Sequence, residues 1–198
     1  MFKKTLLALT ISATAMSAQA TNSVFEGPYM GATLSMLNLD ADYKETAGSL
    51  DFSNDGTAAG VGVNLGYGGL NGSFYGAVEV AFKTNYGKAE DATGLAKING
   101  KDGWELSLLP GFLINETSLI YGRIGMGSIN GEVSVPIAGL SQSDDIDLTI
   151  WGLGFQKMFT ENLSAKVEYV RGNFSKKESN YEIEGDSSGI ILGAQYTF

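Results

Sequence analysis

Apolar and polar residues alternate along most of this chain, and the alternation marks eight strands. A strand side chain changes face at every residue, so a period of two describes a sheet with one apolar face and one contrasting face. The clearest case is the carboxyl end, where Ile190, Leu192, Ala194, Tyr196 and Phe198 share one face and Gly189, Ile191, Gly193, Gln195 and Thr197 the other. Apart from Ile191, that second face is small or polar. The other seven stretches run at about Tyr29–Leu39, Thr57–Tyr67, Ser73–Lys83, Gly103–Leu113, Ser118–Ile129, Asp147–Lys157 and Leu163–Phe174. In the second, Ala59, Val61, Val63, Leu65 and Tyr67 oppose Gly60, Gly62, Asn64 and Gly66.

The connections alternate as well. Gly68 to Gly72, Asn115 to Thr117 and Thr160 to Asn162 read as tight turns, whereas 40–56, 84–101, 130–146 and 175–186 read as long, polar, acidic loops. Short turns at one end and long loops at the other are the arrangement of a barrel in the bacterial outer membrane, with the short end in the periplasm. An even number of strands puts both ends of the barrel on that side. The expected fold is therefore all-β: an eight-stranded antiparallel up-and-down transmembrane β-barrel, most simply a monomer.

A soluble carrier barrel also alternates, but its apolar face points inward. The glycines on the second face decide between the two. Glycine weakens a water-facing strand, yet a narrow eight-stranded lumen needs small residues beside the few large ones that fill it. The glycine face is thus expected inside and the apolar face against lipid. Six charged residues fall on the glycine face: Glu79, Lys83, Glu105, Arg123, Lys166 and Glu168. They are expected to form a barrel-interior polar network that is structural, a gate being the alternative reading. Tyr67, Phe74, Phe112 and Phe198 fall near the turn ends of the strands, and Phe82, Trp104, Trp151 and Tyr169 near the loop ends, as two interfacial aromatic girdles would require.

The amino end sets the compartment. Lys3 and Lys4 precede a short apolar run, and Ala18-Gln19-Ala20 has the small-x-small form of a signal-peptidase site. The run is shorter than the roughly 20 apolar residues of a spanning helix. Residues 1–20 are expected to be a cleaved signal peptide and 21–198 one outer-membrane barrel domain of a Gram-negative cell. Losing Lys3 and Lys4 takes the formal charge from −9 to −11. Such an acidic chain is not a nucleic-acid binder, because phosphate binding needs clustered Lys and Arg.

The sequence contains no His and no Cys. Outer-membrane hydrolases and acyltransferases rely on an imidazole that titrates near neutrality, so an enzyme is not expected. The same absence removes the common zinc ligands, and no metal or cofactor is expected. Asp144, Asp145 and Asp147 lack the loop glycine and distal glutamate of a calcium-binding hand and read as a solvated loop base. Lys176 and Lys177 lie just beyond the loop-side girdle, where they are candidates for contact with lipopolysaccharide phosphates.

Several stretches carry a family resemblance. Ser107-Leu108-Leu109-Pro110-Gly111-Phe112, the Asn115–Thr117 turn and Leu119-Ile120-Tyr121-Gly122-Arg123-Ile124-Gly125 look like a central hairpin of small outer-membrane barrels. Gly152 to Phe155, followed by Thr160 to Tyr169, is similar. Over residues 24–198 the chain resembles the OmpA/OmpX-type eight-stranded outer-membrane β-barrel family. The resemblance implies that Tyr196 and Phe198 form the carboxyl-terminal signal read by the barrel-assembly machinery. Val170 stands where relatives often carry a polar or basic residue, which implies thinner charge pairing in the lumen. The family includes structural barrels and adhesins. The expected role is a non-enzymatic contribution to envelope integrity, or surface interaction through the acidic loops with a cell-surface or host ligand. A narrow channel for small or hydrophobic solutes and an adhesin are the alternatives.

Overall fold

A computed structural model describes residues 24–45, 51–90, 97–135, 140–178 and 181–198. The described chain is almost entirely strand: β1 (Gly27–Glu45), β2 (Asp51–Asn71), β3 (Phe74–Glu90), β4 (Lys97–Asn115), β5 (Ser118–Val135), β6 (Leu140–Met158), β7 (Leu163–Glu178) and β8 (Tyr181–Thr197). Each strand pairs antiparallel with its neighbours, and β8 closes onto β1, so the sheet is a closed barrel. Closure holds to the end of the chain: Thr197 sits opposite Tyr29, Tyr196 opposite Leu163, and the Phe198 amide donates to the Pro28 carbonyl at 3.0 Å.

The apolar face points outward. Leu34, Val63, Leu65, Leu108, Ile124, Met126, Leu153 and Leu192 are all exposed and form a band around the wall. Phe74 packs edge-on against Phe112 at one rim, and Phe82, Trp104, Trp151 and Tyr169 are exposed at the other. Exposed apolar surface on this scale is stable only against lipid.

The lumen is packed by pairing large residues with glycine across the ladder. Tyr29 lies opposite Gly66, Lys83 opposite Gly62, Tyr75 opposite Gly111, Glu105 opposite Gly127, Arg123 opposite Gly152, Tyr121 opposite Gly154 and Lys166 opposite Gly193. A Cβ at Gly62 would stand 2.8 Å from Thr33 Oγ1, and one at Gly154 would overlap the Tyr121 ring. The glycines are therefore the space into which the large side chains fold.

The expected loops are mostly strand. The stretches 40–56, 84–101, 130–146 and 175–186 contain the paired ends of all four long hairpins, which continue to Lys44 opposite Asp51, Glu90 opposite Lys97, Val135 opposite Leu140 and Glu178 opposite Tyr181. A membrane-spanning strand needs about 9–11 residues, and these strands run from 16 to 21. The surplus stands beyond the loop-side girdle. There no lipid demands an apolar face, so the sequence loses its alternation although the ladder continues. Asp144, Asp145 and Asp147 accordingly lie on β6 rather than at the base of a loop.

Candidate functional site: the lumenal charge cluster

All six charged residues of the glycine face meet in the lumen, with Arg123 of β5 as the hub. Its Nη2 donates to Glu79 Oε1 on β3 at 2.7 Å, its Nη1 to Glu105 Oε1 on β4 at 2.8 Å, and its Nε to Glu168 Oε2 on β7 at 2.8 Å. A fourth bond runs from Nη2 to Glu168 Oε1 at 2.9 Å. One guanidinium thus links three carboxylates from three strands, using the fixed fork of donors that lysine lacks. Lys166 Nζ lies 3.1 Å from both Glu79 and Glu168, and Lys83 pairs with Glu105. Three bases face three acids, and the cluster is neutral.

Neutral donors complete it. Tyr121 donates to Glu168 at 2.6 Å, Asn64 to Glu79 at 2.8 Å, Tyr29 to Glu79 at 3.2 Å, and Ser107 to Glu105. Burying charge costs several kcal/mol per ion unless each is paired and hydrogen-bonded. Here Glu79, Glu105, Arg123, Lys166 and Glu168 are buried and all are paired, while Lys83 is partly exposed. Among the described residues Asn64 Oδ1 is the buried side-chain polar atom without a partner.

Apolar layers lie on both sides of the cluster. Toward the turn end, Phe25, Tyr29, Tyr75, Leu109, Leu119, Tyr121 and Met158 pack together, and Leu119 has no exposed surface. Phe25 precedes the first strand. Gly27, at φ +112°, turns the chain so that the Phe25 ring enters the lumen edge-on to Tyr75, 6.4 Å between centroids. Glu26 accepts the Leu70 amide at 3.2 Å and holds the segment in place. Toward the hairpin end, Ile150, Val170 and Ile191 meet, flanked by Leu37 and Leu148. Val170 therefore serves an aliphatic layer above the cluster.

The remaining sequence-derived positions lie apart from this cluster. Tyr196 and Phe198 face outward, with their rings edge-on at 5.2 Å. Ala18 and Ala20 lie outside the described residues. Lys176 and Lys177 belong to β7, but their side chains lie outside the described set. Sequence reasoning missed Arg171, an exposed residue whose guanidinium sits 5.8 Å from the centroid of the Trp151 ring in the loop-side girdle. It also missed Phe25 and the polar roles of Tyr29 and Ser107. For Tyr29 and Ser107 the signal was available, since both share the inward face with the charges.

Comparison with known proteins agrees with this architecture. Neisserial surface protein A is 15% identical with a TM-score of 0.54, over 87% of this chain and 98% of that one. The outer membrane protein OprG of Pseudomonas aeruginosa is 13% identical with a TM-score of 0.51, over 89% and 98%. Ail, the attachment invasion locus protein of Yersinia pestis, is 20% identical with a TM-score of 0.47, over 87% and 99%. At these identities the likeness to the first two speaks to the fold alone. A comparison with curated proteins gives no match. The family model of the outer membrane protein beta-barrel domain matches residues 5–198, and the chain belongs to that family.

Proposed function

We propose that this protein is a closed, non-enzymatic scaffold in the outer membrane whose role is carried by its four extracellular hairpins, in surface interaction and in the integrity of the envelope. The observation that supports this most is the filled lumen. A neutral charge cluster lies between two apolar layers, and each charged group in it is paired with a neighbour rather than presented to a solute. The absence of His and Cys from the sequence leaves no imidazole or thiol for acyl-transfer chemistry. In this reading the six lumenal charges are structural. Tyr196 and Phe198 engage the barrel-assembly machinery, and residues 1–20 are removed on export. Lys176, Lys177 and Arg171 are the bases this reading assigns to lipopolysaccharide phosphates, with Arg171 beside Trp151 in the loop-side girdle.

Shortening the hairpins tests the surface role. Bacteria displaying the wild-type barrel are compared with variants lacking 41–55 or 131–145 for adherence to cell monolayers. Folding is checked by resistance to unfolding in dodecyl sulfate without heating. The expected outcome is a folded barrel with reduced adherence. A folded variant that adheres as well as wild type contradicts the surface role.

A further inference from the structure

The turn-side mouth of the barrel is filled by a residue that belongs to no strand. Among the described residues, every buried member of the turn-side apolar layer is carried by the wall except Phe25. Phe25 is 3% exposed, and its ring stands edge-on to Tyr75. Val24, just before it, packs against the same layer. Leading residues of a domain fray unless something ties them down, and this segment has three ties. Gly27 turns the chain at φ +112°, where a side chain would be strained. Pro28 then fixes the next φ at the start of β1. The second tie lies on β2. β1 begins at Gly27 opposite Gly68, whereas β2 runs on to Asn71. The Leu70 amide lies beyond the β1 ladder, and the Glu26 carboxylate accepts from it at 3.2 Å. The third is a close fit at Gly68, where a Cβ would stand 2.8 Å from the Phe25 carbonyl oxygen. The segment thus crosses from β1 to the β2–β3 hairpin.

We infer that Val24–Glu26 is a plug for the turn-side mouth, seated against a finished wall and able to leave it while the ladder stays closed. The wall closes at this end without the plug: Thr197 sits opposite Tyr29, and the Phe198 amide reaches the Pro28 carbonyl. Opening therefore gives up the contacts of one ring and one amide bond rather than a strand. That places it at the low end of the local openings a folded protein makes. What opens is also bounded. Beyond the turn-side layer, the charge cluster and the Ile150, Val170 and Ile191 layer are held by strands alone. An unplugged barrel admits water to the turn-side half of the lumen and to no path through it. Tyr29 and Tyr121 mark the boundary, with rings in the turn-side layer and hydroxyls on Glu79 and Glu168. The inference rests on the closed lumen proposed above and adds a part of it that moves.

The chain has no Cys, so a single Ala77→Cys substitution in the buried layer reports access to it. Glu116→Cys, on an exposed turn, gives the unprotected rate. Each mature barrel in nanodiscs is treated with a small water-soluble thiol reagent, and amide hydrogen exchange of β1–β3 is followed in parallel. Ala77→Cys is expected to react far more slowly than Glu116→Cys. Adding Phe25→Ala should speed it about tenfold or more, because the ring's burial is lost, with exchange in β1–β3 unchanged. Gly27→Ala keeps the ring but strains the turn that directs it, and should act in the same direction. The plug is overturned if Ala77→Cys is as reactive as Glu116→Cys from the start, or if neither added substitution speeds it. It is also overturned if the rate rises only with loss of protection in β1–β3, which would make Phe25 part of the wall. Liposome flux separates the plug from the reading beneath it. The Phe25→Ala barrel should pass no more solute than empty liposomes, and flux from this variant alone overturns the bounded opening. Flux already present in wild type removes the closed scaffold, while the labelling rates still decide the plug.

Discussion

The lumen within the membrane and the extracellular half of the same strands follow opposite rules. Inside, large side chains such as Tyr29, Tyr121 and Arg123 have glycine partners across the ladder, and each buried carboxylate has a base and a neutral donor. Beyond the loop-side girdle the hairpin ladders continue, to Lys44 opposite Asp51 and Glu178 opposite Tyr181, while the alternation of the sequence is lost. The difference follows from solvent. Between lipid walls an open edge leaves amides unsatisfied at a cost of several kcal/mol each, so the sheet must close. In water the edge is hydrated and can part. Rigidity is thus confined to the part that must be closed, and the part that meets the outside is free to vary, as functional loops on rigid scaffolds are.

Substitutions can break this contrast, beginning with the hub. Arg123→Ala removes the base that links three buried carboxylates, leaves three acids to two lysines, and should cost about 3–5 kcal/mol, read as a lower urea midpoint of the refolded barrel. An unchanged midpoint would show that the cluster does not hold the wall together. Leu119→Ala opens a cavity in the turn-side layer and is expected to cost about 2–5 kcal/mol by the same titration. Tyr121→Phe keeps the ring over Gly154 and removes the bond to Glu168, for about 1.5–3 kcal/mol. Gly154→Ala tests the same pair from the other strand: the methyl group meets the Tyr121 ring, for about 1–3 kcal/mol.

Outside the lumen the effects should be small. Arg171→Ala removes the cation from the Trp151 face and should cost about 0.5 kcal/mol, with a change in Trp fluorescence marking the lost contact. D144N/D145N/D147N lies on β6 beyond the loop-side girdle and should leave the urea midpoint within about 0.5 kcal/mol of wild type. A shift as large as that of Arg123→Ala would mean that the extracellular half is as tightly coupled as the lumen, and the contrast would fail.

The embedded wall was legible in the sequence because two solvents write two faces. Val61, Val63 and Leu65 face lipid, and Gly60, Gly62 and Asn64 face the lumen, so alternation gave both the strand and its orientation. The six charges followed, since a charge on the glycine face has no other place to go. Legibility ended where one solvent bathes both faces. Leu140–Ile146 and Asp51–Gly56 carry no alternation, since no lipid demands an apolar face there, and they read as loop although they pair with β5 and β1. Ile150, Val170 and Ile191 were harder for another reason. They are apolar residues on the polar face, and only a lumen with an aliphatic layer explains them. Phe25 lies before the first alternating stretch, and its entry into the lumen depends on the turn at Gly27, which periodicity does not report.

Closure of the lumen is tested most directly by solute permeation through liposomes carrying the refolded mature barrel, beside empty liposomes. The expected result is flux no greater than the empty control for small neutral and charged solutes. Flux above control from a correctly folded wild-type barrel, altered by Arg123→Ala, would contradict a closed scaffold and make the charge cluster part of a conducting path.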